Sequence, residues 1–173
     1  MKVLKFTVPG FPVATARAGR KFNPVTKKSN SFTPKKTRIF QNLVRLSFTQ
    51  TFPGFIPMGG PIYMKVDAFM AITGSIPKRA QDLARQDEKA VPHIKKPDGK
   101  NIRWGIEDAL EGVAFLNDSQ VSKYVDDKTY SPRPRIDVQI WYYEDASAEP
   151  WLPARKAKKE NPECPKTKDP ELF

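Results

Sequence analysis

The sequence contains a single cysteine, Cys164, and a single histidine, His93. One cysteine excludes an internal disulfide, which makes a reducing cytoplasm the simplest expected location. One residue of each kind also excludes the zinc sites that clustered histidines and cysteines build. The chain has no apolar run near the roughly 20 residues that span a bilayer, and its N-terminal segment is too short and too polar for a signal peptide. We therefore expect a cytoplasmic protein without a membrane partner.

Acidic residues are missing from the first third of the chain. Residues 1–60 contain eleven Lys or Arg and no Asp or Glu, and the first acid is Asp67. The remainder contains equal numbers of both signs, so the whole net charge of +11 lies in the first third. This asymmetry favours an anionic partner such as nucleic acid. The alternative is a solvated surface that only keeps the protein soluble.

The spacing of the apolar residues predicts an α+β fold, with a small mixed β-sheet and helices packed on one face. Strands are predicted over 3–10, 61–72, 119–130 and 134–144, and helices over 37–52, 75–91 and 101–112. Residues 11–36 are expected to form a long basic loop with a hairpin around Phe22 to Phe32. Residues 1–144 should form one domain, and 145–173, rich in Pro, Lys and Glu, a mostly disordered tail.

The helix over 101–112 has the clearest pattern. Ile102, Ile106 and Leu110 share one face at 100° per residue, and Gly112 is expected to end the helix. For the two earlier helices, the expected N-caps are Thr33 or Thr37 in the first and Ser75 in the second.

Carboxylates lie on both sides of this helix, at Asp98 and Asp118. Hydrolysis of a phosphodiester needs an activated water and neutralised phosphate charge, and carboxylate-bound Mg²⁺ supplies both. Asp98 and Asp118 would be sufficient, with Asp108 or Glu107 nearby, because Mg²⁺ usually takes only one or two protein carboxylates. The structural alternatives are a helix N-cap for Asp98 and a turn cap for Asp118. Spacing alone leaves both interpretations open.

A series of short motifs recurs in order along the chain. The pieces are KPD (96–98), the Asn of KN (100–101), DAL-G-A (108–114), NDSQV (117–121), Lys128 and the closing PR-D-V-I (134–140), preceded by VPGFPV (8–13), Arg17 and FTPKKTRIFQNLV (32–44). In this order and spacing they resemble the RusA family of Holliday junction resolvases, which occur in bacteria and in their phages and prophages. The similarity covers roughly residues 3 to 142.

The resemblance implies a homodimeric α+β endonuclease that depends on Mg²⁺, or alternatively Mn²⁺. Its implied substrate is the four-way DNA junction of recombination and repair, nicked symmetrically on two strands by two sites related by a two-fold axis. Asp98, Asn101 and Asp118 match residues of the family's acidic site, and Asp108 matches another recurring acid. The implied catalytic set is therefore Asp98, Lys100, Asn101 and Asp118, and the implied metal ligands are Asp98 and Asp118, assisted by Asp108 or Glu107.

Two positions depart from the family pattern. Lys100 occupies the place of the second Asp in an Asp-x-Asp-Asn segment, and Trp104 that of a recurring lysine. A lysine cannot ligate Mg²⁺ and is expected to pair with Asp98. Three possibilities stay open: an active site rearranged around Glu107 or Asp108, a junction-binding protein with impaired catalysis, or a site in which Lys100 takes over part of the cation's role.

The contacts to the DNA backbone are expected from basic residues around these motifs. The predicted set is Arg17, Arg20, Lys21, Lys35, Lys36, Arg38, Lys95, Lys96, Arg103 and Lys128. His93 is interpreted as a proton carrier or as a packing residue. Phe22 and Phe32 are interpreted as a wedge that stacks on bases or as anchors of the hairpin.

Overall fold

The structure, a computed structural model, describes residues 1–15, 19–23 and 27–143. The strands are β1 (Lys2–Pro9), β2 (Gly19–Asn23), β3 (Lys28–Phe32), β4 (Ile62–Ala71), β5 (Val121–Ser131) and β6 (Arg135–Tyr142). The helices are α1 (Lys35–Thr51), α2 (Lys78–Gln86) and α3 (Gly99–Leu110), and a 3₁₀ turn spans Asp118–Gln120. Arg17 and the predicted tail lie outside the described residues.

Four of the strands form one sheet in the order β1-β6-β4-β5. Strands β4 and β5 are parallel, whereas β6 runs antiparallel to both of its neighbours, β1 and β4. The prediction of a small mixed sheet in an α+β fold is therefore confirmed. The hairpin predicted around Phe22 to Phe32 is also present, as the antiparallel pair β2 and β3, which forms a separate two-stranded sheet.

The hydrophobic core lies between one face of this sheet and the helices α1 and α3. Alternate residues of β1, β4 and β6 point into it, as the two-residue period of a strand requires. The predicted apolar face of α3 is confirmed, since Ile102, Ile106 and Leu110 are fully buried. In α1, Phe40 and Val44 are buried. Among the described residues, no helix has the length and apolar character needed to cross a membrane.

The ends of two helices differ from the prediction. Helix α1 begins two residues early because Pro34 takes the N-cap position, so Thr33 and Thr37 are wrong as caps. Pro77 likewise replaces Ser75 as the N-cap of α2. Helix α2 also ends at Gln86 rather than at residue 91. The chain beyond it pairs with β5 instead, where the N–H groups of Tyr130 and His93 donate to the carbonyls of Val91 and Lys128. Helix α3 begins two residues earlier than predicted and ends at Leu110 with Glu111 as its C-cap, while Gly112 follows with a φ of +74°.

Candidate active site

Helix α3 lies along β5 and runs antiparallel to it. At the beginning of the helix, the ammonium of Lys128 on β5 reaches the carbonyl of Pro97 at 2.7 Å. Further along, Arg103 meets Asp126, and in the last turns Glu107 is hydrogen bonded to the hydroxyl of Tyr124. Residue numbers thus increase along the helix while those of the contacting residues on the strand decrease. The helix has two ends in different surroundings, which we call the Asp98 end and the Asp118 end.

At the Asp98 end, the carboxylate of Asp98 is exposed and has no hydrogen bond or ion pair to the described residues. Asp98 occupies the N-cap position of α3, but its side chain makes no capping hydrogen bond. The N-cap interpretation therefore does not account for this carboxylate. The turn before it is fixed by Lys128, whose Nζ donates to the carbonyls of Lys95 and Pro97, both at 2.7 Å. Burial lowers the pKa of Lys128, while the charge of Asp98 opposes that shift.

The two departures from the family pattern contact each other. The Nζ of Lys100 lies 5.8 Å from the centroid of the Trp104 ring, which is cation–π distance. No ion pair joins Lys100 to Asp98 in the described part of the chain, so the expected pairing is wrong. The helix accounts for this choice, because residues four apart are neighbours on one face and residues two apart are not.

Most of the predicted DNA-binding residues gather at the Asp98 end. Helix α1 lies beside α3, and its Phe40 packs against Gly105. The N–H of Thr15 donates to the carbonyl of Asn101 at 2.8 Å, and from Thr15 the chain proceeds toward the basic hairpin. The exposed cations here are Lys35, Lys36 and Arg38 in α1, and Lys95 and Lys96 before α3, while Arg20 and Lys21 belong to β2. A basic surface therefore borders the Asp98 carboxylate.

At the Asp118 end, the NDSQ motif forms the 3₁₀ turn that leads into β5. Asn117 caps this turn, and the side chain of Gln120 accepts from the N–H of Asn117 at 2.8 Å. The amide of Gln120 also donates to the carbonyls of Met58 and Gly60. The cap is thus Asn117 rather than Asp118, whose carboxylate is exposed and has no hydrogen bond or ion pair to the described residues.

Further carboxyl groups surround Asp118. Burial, and next the charge of Asp118, raise the pKa of Asp108. Burial is also the main cause that raises the pKa of Glu107, with Asp118 and Asp108 adding to it. Arg103, whose Nε lies 3.3 Å from Glu107, opposes this shift, as does the hydroxyl of Tyr124. Asp118 thus adds to the upward pKa shifts of both neighbouring carboxyl groups, for which burial is the larger cause, and such grouped carboxylates favour a bound cation.

Arg103 and Tyr124 are committed to contacts inside the protein. The guanidinium of Arg103 lies 4.1 Å above the Tyr124 ring and 2.6 Å from the carboxylate of Asp126. Burial and the hydrogen bond to Glu107 raise the pKa of Tyr124. Sequence reasoning did not identify Tyr124, although alternation along β5 places it on the same face as Asp126 and Lys128. That these two cations, Arg103 and Lys128, bind DNA stays a prediction.

His93 and Phe32 both have surroundings that bear on their alternatives. The ring of His93 lies 4.6 Å from that of Tyr130, and burial followed by the charge of Lys128 lowers its pKa. These contacts favour the packing interpretation of His93. Phe32 lies against Gly19 across the hairpin and is still 54% exposed, which is compatible with an anchor and with a wedge.

The structure separates the two predicted site aspartates within one chain. Asp98 precedes α3, whereas Asp118 interacts electrostatically with Glu107 and Asp108 near its end. At 1.5 Å per residue, these positions are on the order of 15 Å apart along the helix. Within the described residues, no group of three or more His, Cys, Asp or Glu could hold a metal ion. The structure thus places Asp118 near Asp108 and Glu107, and Asp98 with Asn101 at the other end.

Comparison with known proteins agrees with the motif pattern. Residues 9–141 match the family described as "Endodeoxyribonuclease RusA". The "Uncharacterized protein YqaN" of Bacillus subtilis (strain 168) is 31% identical over 140 residues, which are 81% of this chain and 96% of that protein. RusA resolvases generally depend on a divalent metal ion and bind branched DNA. The order of its motifs and this match over most of its length show that the chain belongs to the RusA family of Holliday junction endodeoxyribonucleases.

Proposed function

We propose that this chain resolves four-way DNA junctions as a homodimeric endonuclease that depends on Mg²⁺ or Mn²⁺. The observation that carries the proposal is the pair of exposed aspartates, Asp98 and Asp118, whose carboxylates have no hydrogen bond or ion pair to the described residues. Carboxylates that only stabilise a fold have partners, as Glu88 does with Arg135. Within the part of the chain that the structure describes, two carboxylates without such partners lie at the two ends of one helix and are available for a ligand.

A second copy of the chain would bring these carboxylates together. The Asp98 end is bordered by cations, whereas the Asp118 end groups the carboxyl groups of Glu107, Asp108 and Asp118, so the two ends are complementary in charge. A two-fold axis that sets two α3 helices antiparallel across a cleft would place Asp98 of each chain beside the partner's Asp118 and leave the exposed face of α3 as a wall of that cleft. Such a dimer has two composite sites, which suits the symmetric nicking of two strands.

The residues at such a composite site fit a hard divalent cation. Asp98, Asp118 and Asp108 supply carboxylate oxygens and Asn101 an amide oxygen, the donors that Mg²⁺ prefers. A cation bound there would lower the pKa of a bound water and neutralise charge on the phosphate. Glu107 is less available, because Tyr124 and Arg103 already engage its carboxyl group. The DNA arms would follow the basic surface formed by α1, the hairpin and the Lys95–Lys96 turn.

Complementation between two inactive variants tests this arrangement. We expect Asp98→Asn and Asp118→Asn each to lose nicking of a labelled four-way junction in Mg²⁺. After the two variants are co-expressed, heterodimers contain one composite site with both carboxylates intact. Nicking should then return to roughly a quarter of the wild-type rate, since half of the dimers have one good site of two. Each variant alone, taken through the same preparation, is the control.

Two outcomes would contradict different parts of the proposal. If the wild type nicks junctions and the co-expressed mixture stays inactive, the hypothesis of a composite site is wrong, whereas the proposed nuclease activity stands. If the wild type binds junctions without nicking them in Mg²⁺ or Mn²⁺, the proposed nuclease activity is wrong.

The second candidate function is a junction-binding protein with impaired catalysis. The observation that favours it is Lys100, which stands where the family has a carboxylate. It predicts junction binding that weakens steeply with salt, no cleavage by the wild type, and nicking gained by Lys100→Asp. Its failure is equally clear, since a wild type that cleaves junctions in Mg²⁺ excludes it.

A further inference from the structure

The exposed face of α3 presents a line of three side chains, Lys100, Trp104 and Asp108. They are spaced four residues apart, so they follow one another along one face of the helix. The opposite face, with Ile102, Ile106 and Leu110, is fully buried. Trp104 thus lies midway between the Asp98 end and the Asp118 end.

The indole of Trp104 is about half exposed to solvent. Its side chain is 47% exposed, which is unusual because tryptophan is largely buried on average. It does not belong to the hydrophobic core cluster or to the residues packed against it. Within the described residues, its recorded ring contact is the ammonium of Lys100. The fold therefore does not use this ring for core packing.

The surroundings of the ring are cationic on one side. Lys100 lies against it, and Lys95 and Lys96 are exposed in the preceding turn. The first turn of α1 adds three exposed cations and contains no acid. This turn precedes Phe40, which packs against Gly105, the residue that follows Trp104. An exposed aromatic beside cations is the combination that binds single-stranded nucleic acid, because bases stack on the ring and cations contact phosphates.

We propose that Trp104 and Lys100 form a binding site for an unpaired or end-exposed nucleobase of the DNA substrate. The base stacks on the indole, and Lys100 contacts the phosphate beside it. Inside a continuous duplex both faces of every base are covered by neighbouring bases, whereas a branch point exposes them. This site therefore favours branched over linear DNA. The inference rests on the proposed function and makes Trp104 a determinant of its substrate specificity.

Fluorescence of Trp104 tests the contact directly. In a parent protein that carries Trp141→Phe and Trp151→Phe, Trp104 is the remaining tryptophan. We expect its emission to be quenched by an oligothymidine and by a four-way junction, and much less by a blunt duplex of equal length. Equal quenching by the blunt duplex and the junction would overturn the proposal, and so would no quenching by the oligothymidine.

Binding by substituted proteins gives an independent readout. We expect Trp104→Leu, which keeps apolar bulk but lacks an aromatic ring, to bind the junction about tenfold more weakly and the duplex unchanged. Trp104→Phe should retain most of the affinity, and Ile56→Ala, in the loop before β4 at a residue that is 82% exposed, should retain all of it. The proposal fails if Trp104→Leu loses duplex and junction affinity equally, or loses neither.

Molar mass and junction preference distinguish a base site from a contact between chains and from the proposed function. If Trp104→Leu changes the molar mass measured by light scattering, the ring is a contact between chains and the proposal is wrong. If the parent prefers junctions and Trp104→Leu keeps that preference, this inference fails while the proposed function stands. If the parent has no preference for junctions yet the oligothymidine quenches Trp104, the proposed function fails and the base site stands.

Discussion

The two ends of α3 carry the same kind of side chain in opposite surroundings. Asp98 is exposed next to a basic surface, and its turn is held by the ammonium of Lys128. Asp118 is exposed next to other acids, where burial and its own charge raise the pKa of Asp108. One end is suited to a phosphate and the other to a cation. A reaction in which a metal ion acts on a phosphodiester needs both, and in this protein they lie at different ends of one helix.

The largest effect on nicking is expected at the acidic end. Asp118→Asn should reduce nicking at least roughly 100-fold, because it removes the one exposed carboxylate there that has no hydrogen bond or ion pair to the described residues. Junction affinity should stay the same or rise, since a negative charge that repels phosphates is lost. Single-turnover nicking and gel-shift titration measure the two quantities. Asp127→Asn, on β5, is the matched control and should retain activity.

Lys100→Asp changes the basic end toward the family pattern. A carboxylate in the first turn of α3 is favoured by the helix dipole and adds a second oxygen ligand beside Asp98. We expect nicking to rise about tenfold, equivalent to about 1.4 kcal/mol, and to need less Mg²⁺. Lys100→Met separates removal of the cation from gain of the acid. If both variants lose activity, the ammonium of Lys100 itself contributes to cleavage by taking over part of the cation's role.

Lys128→Met weakens the support of the Asp98 turn. It leaves the carbonyls of Lys95 and Pro97 without the donor that binds both at 2.7 Å, at a cost of about 1–3 kcal/mol. We expect nicking to fall several-fold and amide exchange to rise in residues 95–98, with junction affinity nearly unchanged. Lys123→Met, an exposed lysine on the same strand, is the control. A loss of affinity without faster exchange would show that Lys128 contacts DNA instead.

A smaller effect is expected from one cation of the basic surface. Lys36→Ala should weaken junction binding a few-fold and reduce the slope of log affinity against log salt by about one. Cleavage of bound junction should be unaffected, because Lys36 lies on α1 and is not one of the proposed metal ligands. Lys78→Ala, exposed at the start of α2, is the control and should leave the slope unchanged.

Glu88→Gln is expected to leave nicking unchanged and to alter stability alone. The hydrogen bond from Arg135 is the main cause that lowers the pKa of Glu88 from 4.5 to about 2. Because the folded pKa is depressed, Glu88 stabilises the fold above about pH 4.5, and this contribution is lost as the pH falls toward 2. Chemical denaturation should show a loss of roughly 2 to 3 kcal/mol at neutral pH that disappears in acid. Asp82→Asn is the control.

Local patterns predicted the elements of this fold well. Period-two alternation located β1, β4 and β6, and the spacing of Ile102, Ile106 and Leu110 predicted the buried face of α3. The predicted end of α2 was wrong because a contact with a residue far along the chain determines where this helix ends. Helix α2 ends early because residues 91–93 pair with β5, a strand that begins some 30 residues later. Proline at the N-cap position of α1 and α2 was also not expected, since Thr and Ser are the usual caps.

The sequence provided candidate residues for the site, but it did not provide their arrangement in space. The motif pattern identified Asp98, Asn101, Asp108 and Asp118, yet it could not show that the aspartates lie at opposite ends of α3. That separation follows from the antiparallel course of α3 and β5, which depends on pairing across the sheet. The side-chain direction of Lys100 was also beyond the pattern, because it depends on Trp104 four residues later.

The hydrogen bonds of the Gln120 side chain limit how the loop before β4 can be engineered in this protein. Its amide donates to the carbonyls of Met58 and Gly60, so the backbone of the loop before β4 positions the turn that contains Asp118. Side chains in that loop, such as the exposed Ile56, are open to redesign, and purification tags or fluorophores can be attached there. Insertions or deletions between Pro57 and Pro61 are not expected to be tolerated, because they would move the backbone carbonyls that Gln120 binds and would displace Asp118 with them.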